Sequence, residues 1–130
     1  MISVSVSERN ERILICCDGH ADFAPRGRDI VCAGVSALCM GLLGVLEGIC
    51  GDSLTVQLGD GLMRAEISHM GSDVLKGEIR GAVNTFTAGI CRIARLYPDY
   101  VFIEKDCLPL WVRYIDTSEQ TTEKMKGGSI

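Results

Sequence analysis

The sequence predicts an α+β domain in which a mainly antiparallel sheet packs against two helices. Three observations support this: short segments with strand-like apolar patterns, two long segments with helical character, and their order along the chain. That order is strand-strand-helix-strand-strand-helix-strand. The chain has 130 residues, of which 47% are hydrophobic, and this length suits a single domain. We place the domain at residues 1–104 and expect residues 105–130 to form a partly disordered C-terminal extension.

The first two strands are predicted as a hairpin. Residues 2–7 alternate apolar with polar side chains, residues 12–17 contain a continuous apolar run, and charged residues separate the two segments. The N-terminal alternation is unlike the basic-then-apolar pattern of a secretory leader. The seven cysteines are odd in number and irregularly spaced. Together these features favour free thiols and a cytoplasmic protein.

A long apolar helix is predicted next. Asp29 is a suitable N-cap, residues 30–46 carry no charge, and Glu47 ends the uncharged run. That run is shorter than the ~20 apolar residues that a membrane-spanning helix requires. We therefore expect a helix buried by the sheet on one side and by a second copy of the chain on the other, and no contact with a membrane.

The second half of the chain repeats the hairpin-then-helix order. Strands are predicted at residues 54–58 and 62–67, separated by an Asp-Gly step that suits a tight turn. A helix is predicted over residues 72–97, with Ser72 or Asp73 as cap, and a short strand over 100–103. The net charge of −4 and the absence of a basic run argue against nucleic-acid binding.

His20 and Cys32 form the most informative pair of residues. His20 follows the second strand, and Cys32 falls in the first turn of the apolar helix, after a short polar loop. A cysteine protease requires such a pair, because the thiolate is the nucleophile and a nearby base forms and holds it. A helix N-terminus stabilises a thiolate, and its unpaired N–H groups are candidates for binding an oxyanion.

Neighbouring residues suggest supporting roles and alternatives. Ser36 lies one helical turn after Cys32, and Asp29 is either a cap alone or a group that orients His20. His69 is the other candidate base, and we interpret it as a loop residue. The competing interpretations are a structural histidine with a core cysteine, or a zinc site that includes Cys16 and Cys17. Zinc is disfavoured because the chain has no C-x-x-C motif and adjacent strand residues point to opposite faces, so we expect no metal and no cofactor.

At these residues the sequence resembles a known family. Gly19-His20-Ala21, the segment from Asp29 to Leu38, and Tyr97-Pro98-Asp99-Tyr100-Val101 resemble the signature of the ribosomal-processing cysteine proteases of the Prp family. The resemblance implies a bacterial cytoplasmic homodimer that removes a short N-terminal extension from a large-subunit ribosomal protein. It places the catalytic dyad on His20 and Cys32, and the family's nearby Asp and Ser on Asp29 and Ser36.

The resemblance also implies that the loop between the dyad residues orders around a protein substrate. In this chain the loop contains Pro25, Arg26, Gly27 and Arg28. Its two arginines make it basic, where the resemblance implies a commonly more acidic loop. Relatives encoded near phage structural genes suggest a phage capsid or scaffold protein as an alternative substrate. The alternative from another class is a catalytically silent dimeric module that only binds such a protein.

Overall fold

The computed structural model describes residues 1–105 and 107–112, and it confirms the predicted α+β fold and element order. The domain consists of a five-stranded sheet and two helices. A single 3₁₀ turn, Gly51–Ser53, follows the first helix. In chain order the elements are β1 (Ile2–Arg9), β2 (Arg12–Asp18), α1 (Ile30–Cys50), β3 (Leu54–Gly59), β4 (Leu62–Ile67), α2 (Asp73–Leu96) and β5 (Val101–Ile103).

The strand order in the sheet is β3-β4-β2-β1-β5. The pairs β1–β2, β2–β4 and β3–β4 are antiparallel, and β1–β5 is parallel. In the β2–β4 pair, Asp18 lies opposite Leu62. The residues that follow Asp18 therefore lie beside the turn that precedes Leu62, and this register brings His20 next to the β3–β4 turn.

The core lies between the sheet and the two helices. Alternate residues of the central strands are buried, as the two-residue period of a strand requires. Ile79, Val83, Phe86 and Ile90 of α2 are buried at helical spacing, whereas Val74, predicted as part of the same apolar pattern, is exposed. The N-cap of α2 is Ser72, whose side chain accepts a hydrogen bond from the Leu75 N–H. The core side chains with almost no exposed surface include Val4, Val6, Ile13, Ile15, Leu46, Ile79, Val83, Phe86 and Ile90.

The first helix has one buried stripe and one open apolar face. Within the described residues, the segment Ile30–Ser53 is long and apolar enough to cross a membrane, judged by length and composition. In this domain α1 packs against α2, β3 and β4 through a stripe that includes Val35, Leu42 and Leu46, as a core helix does. Only 33% of the apolar window is buried, however, and Met40 and Val45 remain exposed.

Residues after β5 return to the domain surface. Leu108 and Trp111 pack against the core, and Val112 is buried. The Arg80 guanidinium lies 5.5 Å from the centroid of the Trp111 ring, which is cation–π geometry. Most of the predicted C-terminal extension, residues 105–130, lies outside the described residues, which include only 105 and 107–112 of it.

Candidate active site

Asp29 connects both ends of the loop that separates His20 from Cys32. One carboxylate oxygen accepts the backbone N–H groups of Val31 and Cys32, each at 3.0 Å, which makes Asp29 the N-cap of α1. The other oxygen accepts the N–H groups of Phe23 at 2.9 Å and Ala24 at 3.3 Å. One buried side chain therefore fixes the start of the loop and the first turn of the helix.

These bonds bear on two expectations from the sequence: that the first N–H groups of α1 bind an oxyanion, and that Asp29 orients His20. The N–H groups of Val31 and Cys32 are occupied by the Asp29 carboxylate, and the Ala33 N–H donates to the Asp29 carbonyl at 3.0 Å. In this arrangement those three donors are not free to bind an oxyanion. The Asp29 carboxylate faces backbone donors, and the carboxylate that lies near His20 belongs to Asp60.

Burial alone would raise the pKa of Asp29, but the backbone N–H groups of Cys32, Ala24, Phe23 and Val31 lower it below its ordinary value. A carboxyl group whose pKa is depressed by folding contributes stability above its unfolded pKa. That contribution is lost as the pH falls through the folded pKa. The cap of α1 should therefore weaken in acid.

Asp29→Ala is expected to lower the free energy of unfolding by about 2 kcal/mol at neutral pH, because it removes an N-cap and the loop contacts. Urea denaturation at neutral and acidic pH measures this loss. The difference between wild type and variant should shrink in acid. Ser72→Ala, which removes the uncharged cap of α2, is the matched control and should show a pH-independent loss. A loss at Asp29 that does not vary with pH would contradict the assignment.

Cys32 occupies a different environment from most of the cysteines. It is half-buried in the first turn of α1, and its sulfur accepts the Ala21 N–H at 3.3 Å. A backbone donor aimed at sulfur stabilises the anionic form. By contrast, the hydrogen bond with Cys39 and burial raise the pKa of the Cys17 thiol, and burial raises the pKa of Cys50 and of Cys91.

His20 lies close to two charged groups at the end of β2. Its Nε2 atom is 3.2 Å from a guanidinium nitrogen of Arg26 and 3.6 Å from a carboxylate oxygen of Asp60. Arg26 and Asp60 themselves form an ion pair of 2.5 Å. Sequence reasoning assigned Asp60 only to a turn. The β2–β4 pairing is the feature that places it beside His20.

The close approach of the β3–β4 turn to His20 depends on Gly61. Gly61 has a φ of +67°, and a Cβ atom at this position would lie 2.7 Å from His20 Nε2. Both the backbone conformation and the space therefore favour glycine. The Gly19 N–H also donates to the Gly61 carbonyl at 2.7 Å, which ties the turn to the residue before His20.

Two clefts meet at His20 and Cys32. A cleft of about 820 Å³ is lined by the loop, including Pro25, Arg26, Gly27, Arg28 and Asp29. A second cleft, of about 320 Å³, runs over apolar side chains such as Met40, Leu43 and Leu58. Both clefts are lined by His20, Cys32, Ser36 and Asp60. The structure thus brings every residue of the predicted site to one region of the surface, and it adds Asp60.

The loop also contacts the Tyr-Pro-Asp-Tyr segment that closes the domain. The Phe23 ring lies edge-on to Tyr97, with centroids 5.4 Å apart, and to Tyr100, with centroids 5.1 Å apart. Such edge-to-face contacts are favourable. They anchor the start of the loop, while Arg26 holds its middle at the β3–β4 turn.

Comparison with known proteins gives a family and a set of relatives. The family described as Cysteine protease Prp matches residues 1–102 of this chain. Two curated relatives, each the ribosomal processing cysteine protease Prp of a Staphylococcus aureus strain, are 35% identical over 48 residues. That segment is 37% of this chain and 45% of each relative, so the chain matches less than half the length of these relatives.

Solved structures match over a longer range. The S. aureus ribosomal processing protease Prp with a covalently linked product peptide gives a TM-score of 0.67 at 25% identity, over 80% of this chain and 98% of that one. The same protease with a substrate peptide gives 0.62 at 24% identity, with the same coverage, which shows the fold alone. SMU.848 from Streptococcus mutans gives 0.61 at 29% identity, over 80% of this chain and 92% of that one.

Proposed function

The chain belongs to the cysteine protease Prp family, and we propose on this basis that it is an endopeptidase with Cys32 as nucleophile and His20 as general base and acid. One observation carries the proposal. The Cys32 sulfur lies in the first turn of α1, receives the Ala21 N–H, and shares the walls of two clefts with His20. A thiol that a substrate can reach and a neighbouring imidazole are the two groups that the reaction requires.

The proposed reaction has two halves. The Cys32 thiol gives its proton to His20, and the thiolate attacks the scissile carbonyl and forms a C–S bond. The His20 imidazolium then protonates the leaving amine as the C–N bond breaks. His20 next takes a proton from a water molecule, whose oxygen attacks the thioester carbonyl. The C–S bond breaks, the acid is released, and His20 returns the proton to the Cys32 sulfur. Asp29 supports the reaction by fixing the first turn of α1, and Ser36 supports it with a hydroxyl on the wall of both clefts.

We propose that the substrate is a large-subunit ribosomal protein with a short N-terminal extension, processed in the cytoplasm. Two facts support this substrate class: the curated relatives are named ribosomal processing proteases, and a relative of the same fold holds a substrate peptide. The two clefts that meet at Cys32 give an extended peptide room on both sides of the scissile bond. All of these steps are performed by protein side chains, and the proposal includes no cofactor or metal.

The experiment that tests the function uses the full chain, under reducing conditions, and intact-mass spectrometry. The substrate is the ribosomal protein with its extension, and the matched control is the same protein without it. A single cut that removes the extension is the expected result. An uncut extended protein, together with cleavage of a phage scaffold or capsid protein, would replace this substrate by the alternative. Binding without any cleavage would overturn the enzyme and favour the silent module.

We propose, further, that the protein is a homodimer that buries the open face of α1. A groove of about 580 Å³ lies between the helices, lined by Ala37, Gly41 and Val45 of α1 and by Gly81 and Ala82 of α2, among others. Small and apolar side chains permit close approach of a second helix pair. The same patch on two copies forms a self-complementary, closed interface.

Val45→Glu is expected to weaken the dimer at least tenfold, because it places a charge in the middle of an apolar contact. Light scattering across a concentration series measures the effect. Val74→Glu, on an exposed residue of α2 that does not line the groove, is the matched control and should leave the dimer intact. A wild type that is monomeric, or an equally stable Val45→Glu dimer, would contradict this interface.

A further inference from the structure

The Nε2 atom of His20 is surrounded by charges from two other segments of the chain. Arg26 comes from the loop, and Asp60 comes from the β3–β4 turn. The three pairwise distances are 3.2 Å for Arg26 and His20, 3.6 Å for Asp60 and His20, and 2.5 Å for Arg26 and Asp60. His20 and Arg26 therefore share one carboxylate.

We propose that Asp60 is a positioning residue that favours the charged form of His20. Arg26 opposes this effect, because its guanidinium contacts both the His20 ring and the Asp60 carboxylate. This inference rests on the proposed function, in which His20 acts in its charged form beside the Cys32 thiolate. The position of the loop then affects the charge state of His20, because a loop movement that withdraws Arg26 leaves the Asp60 carboxylate to interact with His20 alone.

The donor and acceptor chemistry of the three groups supports the proposal. A guanidinium has five N–H donors and no acceptor, so the His20 Nε2 atom that it contacts must be the acceptor. The imidazole is then neutral, with its proton on Nδ1. A proton on Nε2 would instead place two cationic donors against each other. The contact with Arg26 thus opposes a proton on Nε2, whereas a cysteine protease requires an imidazolium beside its thiolate.

The Asp60 carboxylate can reverse this state. Its hydrogen bond with Arg26 lowers the pKa of Asp60, so the group is anionic at neutral pH. Once Arg26 is withdrawn, a small rotation of the Asp60 side chain allows its carboxylate to accept a hydrogen bond from a protonated Nε2 of His20. Gly61 and its bond to Gly19 keep the turn at this distance whatever the loop does.

A purely structural role for the ion pair is weakly supported. The side chains of Arg26 and Asp60 are 73% and 72% exposed, and ion pairs at such positions contribute little to stability. The backbone bond between Gly19 and Gly61 already attaches the turn to the His20 segment. Other titratable or charged groups that line the same cleft as His20 are Asp22, Arg28, Asp29 and Cys32. Cys32 is replaced by serine in every variant compared below, and the other three groups are unchanged in all of them.

The two halves of the ion pair give a sharp test. Asp60→Asn and Arg26→Gln break the same contact, so a merely structural tie predicts that both variants change in the same way. The proposal predicts opposite changes. Arg26→Gln leaves Asp60 with His20 and favours its protonation, whereas Asp60→Asn leaves Arg26 with His20 and disfavours it.

The measurement is an NMR titration of the His20 ring in the full chain. His69→Gln leaves a single histidine, and Cys32→Ser removes the thiolate, so the titration reports on Arg26 and Asp60. We expect the midpoint to move up in Arg26→Gln and down in Asp60→Asn, by about half a pH unit each. Asp60→Glu, which keeps the charge, should stay near the parent. Shifts in the same direction, or no shift in either variant, would overturn the proposal.

The titration separates this inference from the proposed function, because it requires no substrate. The chain can fail to cleave the extended ribosomal protein while the His20 midpoints of Arg26→Gln and Asp60→Asn still move in opposite directions. That result would support the roles of Asp60 and Arg26 and contradict the proposed substrate. In the Cys32-containing enzyme, the alkaline limb of kcat/KM should follow the same order as the midpoints. An alkaline limb that does not move would contradict the role of Asp60 in the reaction.

Discussion

Replacing Cys32 with alanine is expected to abolish cleavage, with a loss of kcat/KM of ~10⁴-fold or more. The reason is chemical: in the proposed reaction the sulfur forms the covalent bond to the substrate, and none of the other groups at the site replaces it. Serine keeps the size of the side chain but not the ready ionisation of the thiol, so Cys32→Ser should be nearly as inactive. Both variants should fold, because Cys32 is only half-buried and alanine is a good helix former.

Cys107→Ser and Cys16→Ser are the matched controls for Cys32. Cys107 is exposed and Cys16 is half-buried, so both thiols compete for reagents. These two variants should retain full activity. Iodoacetamide labelling followed by peptide mapping should modify Cys32 before Cys107, since the Ala21 N–H donates to the Cys32 sulfur and a hydrogen bond of this kind favours the thiolate. Activity in Cys32→Ala within tenfold of wild type would show that the nucleophile lies elsewhere.

The local elements of the fold were predictable because their patterns are regular. β1 alternates buried and less buried residues, and α2 buries Ile79, Val83, Phe86 and Ile90 at helical spacing. The caps followed from residue type, since Asp29 and Ser72 both have side-chain oxygens that accept N–H groups of the first turn. The strand order and the parallel β1–β5 pairing are long-range properties. No pattern within a single segment specifies them.

The site was predictable in part. His20 and Cys32 stood out because each lies at the end of an element, and the structure brings both to the same clefts. The role of Asp60 was not predictable from the turn itself. The sequence Gly59-Asp60-Gly61 is fully explained by turn chemistry, and only the pairing of β2 with β4 brings its charge to His20.

The availability of the N–H groups at the N-terminus of α1 was also not predictable from the sequence. From the sequence, a helix start beside a nucleophile suggests free N–H groups for an oxyanion. In the structure the cap that starts the helix also consumes those donors. The same Asp29 that positions Cys32 therefore removes an obvious oxyanion site. Whether a cap satisfies or leaves open the first N–H groups depends on side-chain geometry, which a sequence pattern does not encode.

His20→Gln is expected to reduce kcat/KM by about 10³-fold, the typical contribution of a positioned general base and acid. Glutamine keeps hydrogen-bonding groups near Asp60 but transfers no proton at neutral pH. The pH profile should change as well. Wild type should show a bell-shaped profile, because it requires a deprotonated thiol and a protonated imidazole, whereas the residual activity of the variant should rise with pH as the thiol ionises unaided.

His69→Gln is the matched control, since the chain contains two histidines and this one lies outside the clefts at Cys32. The His69 ring accepts the Gly71 N–H at 3.0 Å in the connection between β4 and α2, so the variant tests a histidine held only by its own loop. It should keep the activity and the bell-shaped profile of wild type. Loss of activity in His69→Gln, with full activity in His20→Gln, would assign the role of base to His69. That result would contradict the proposed pairing of His20 with Cys32.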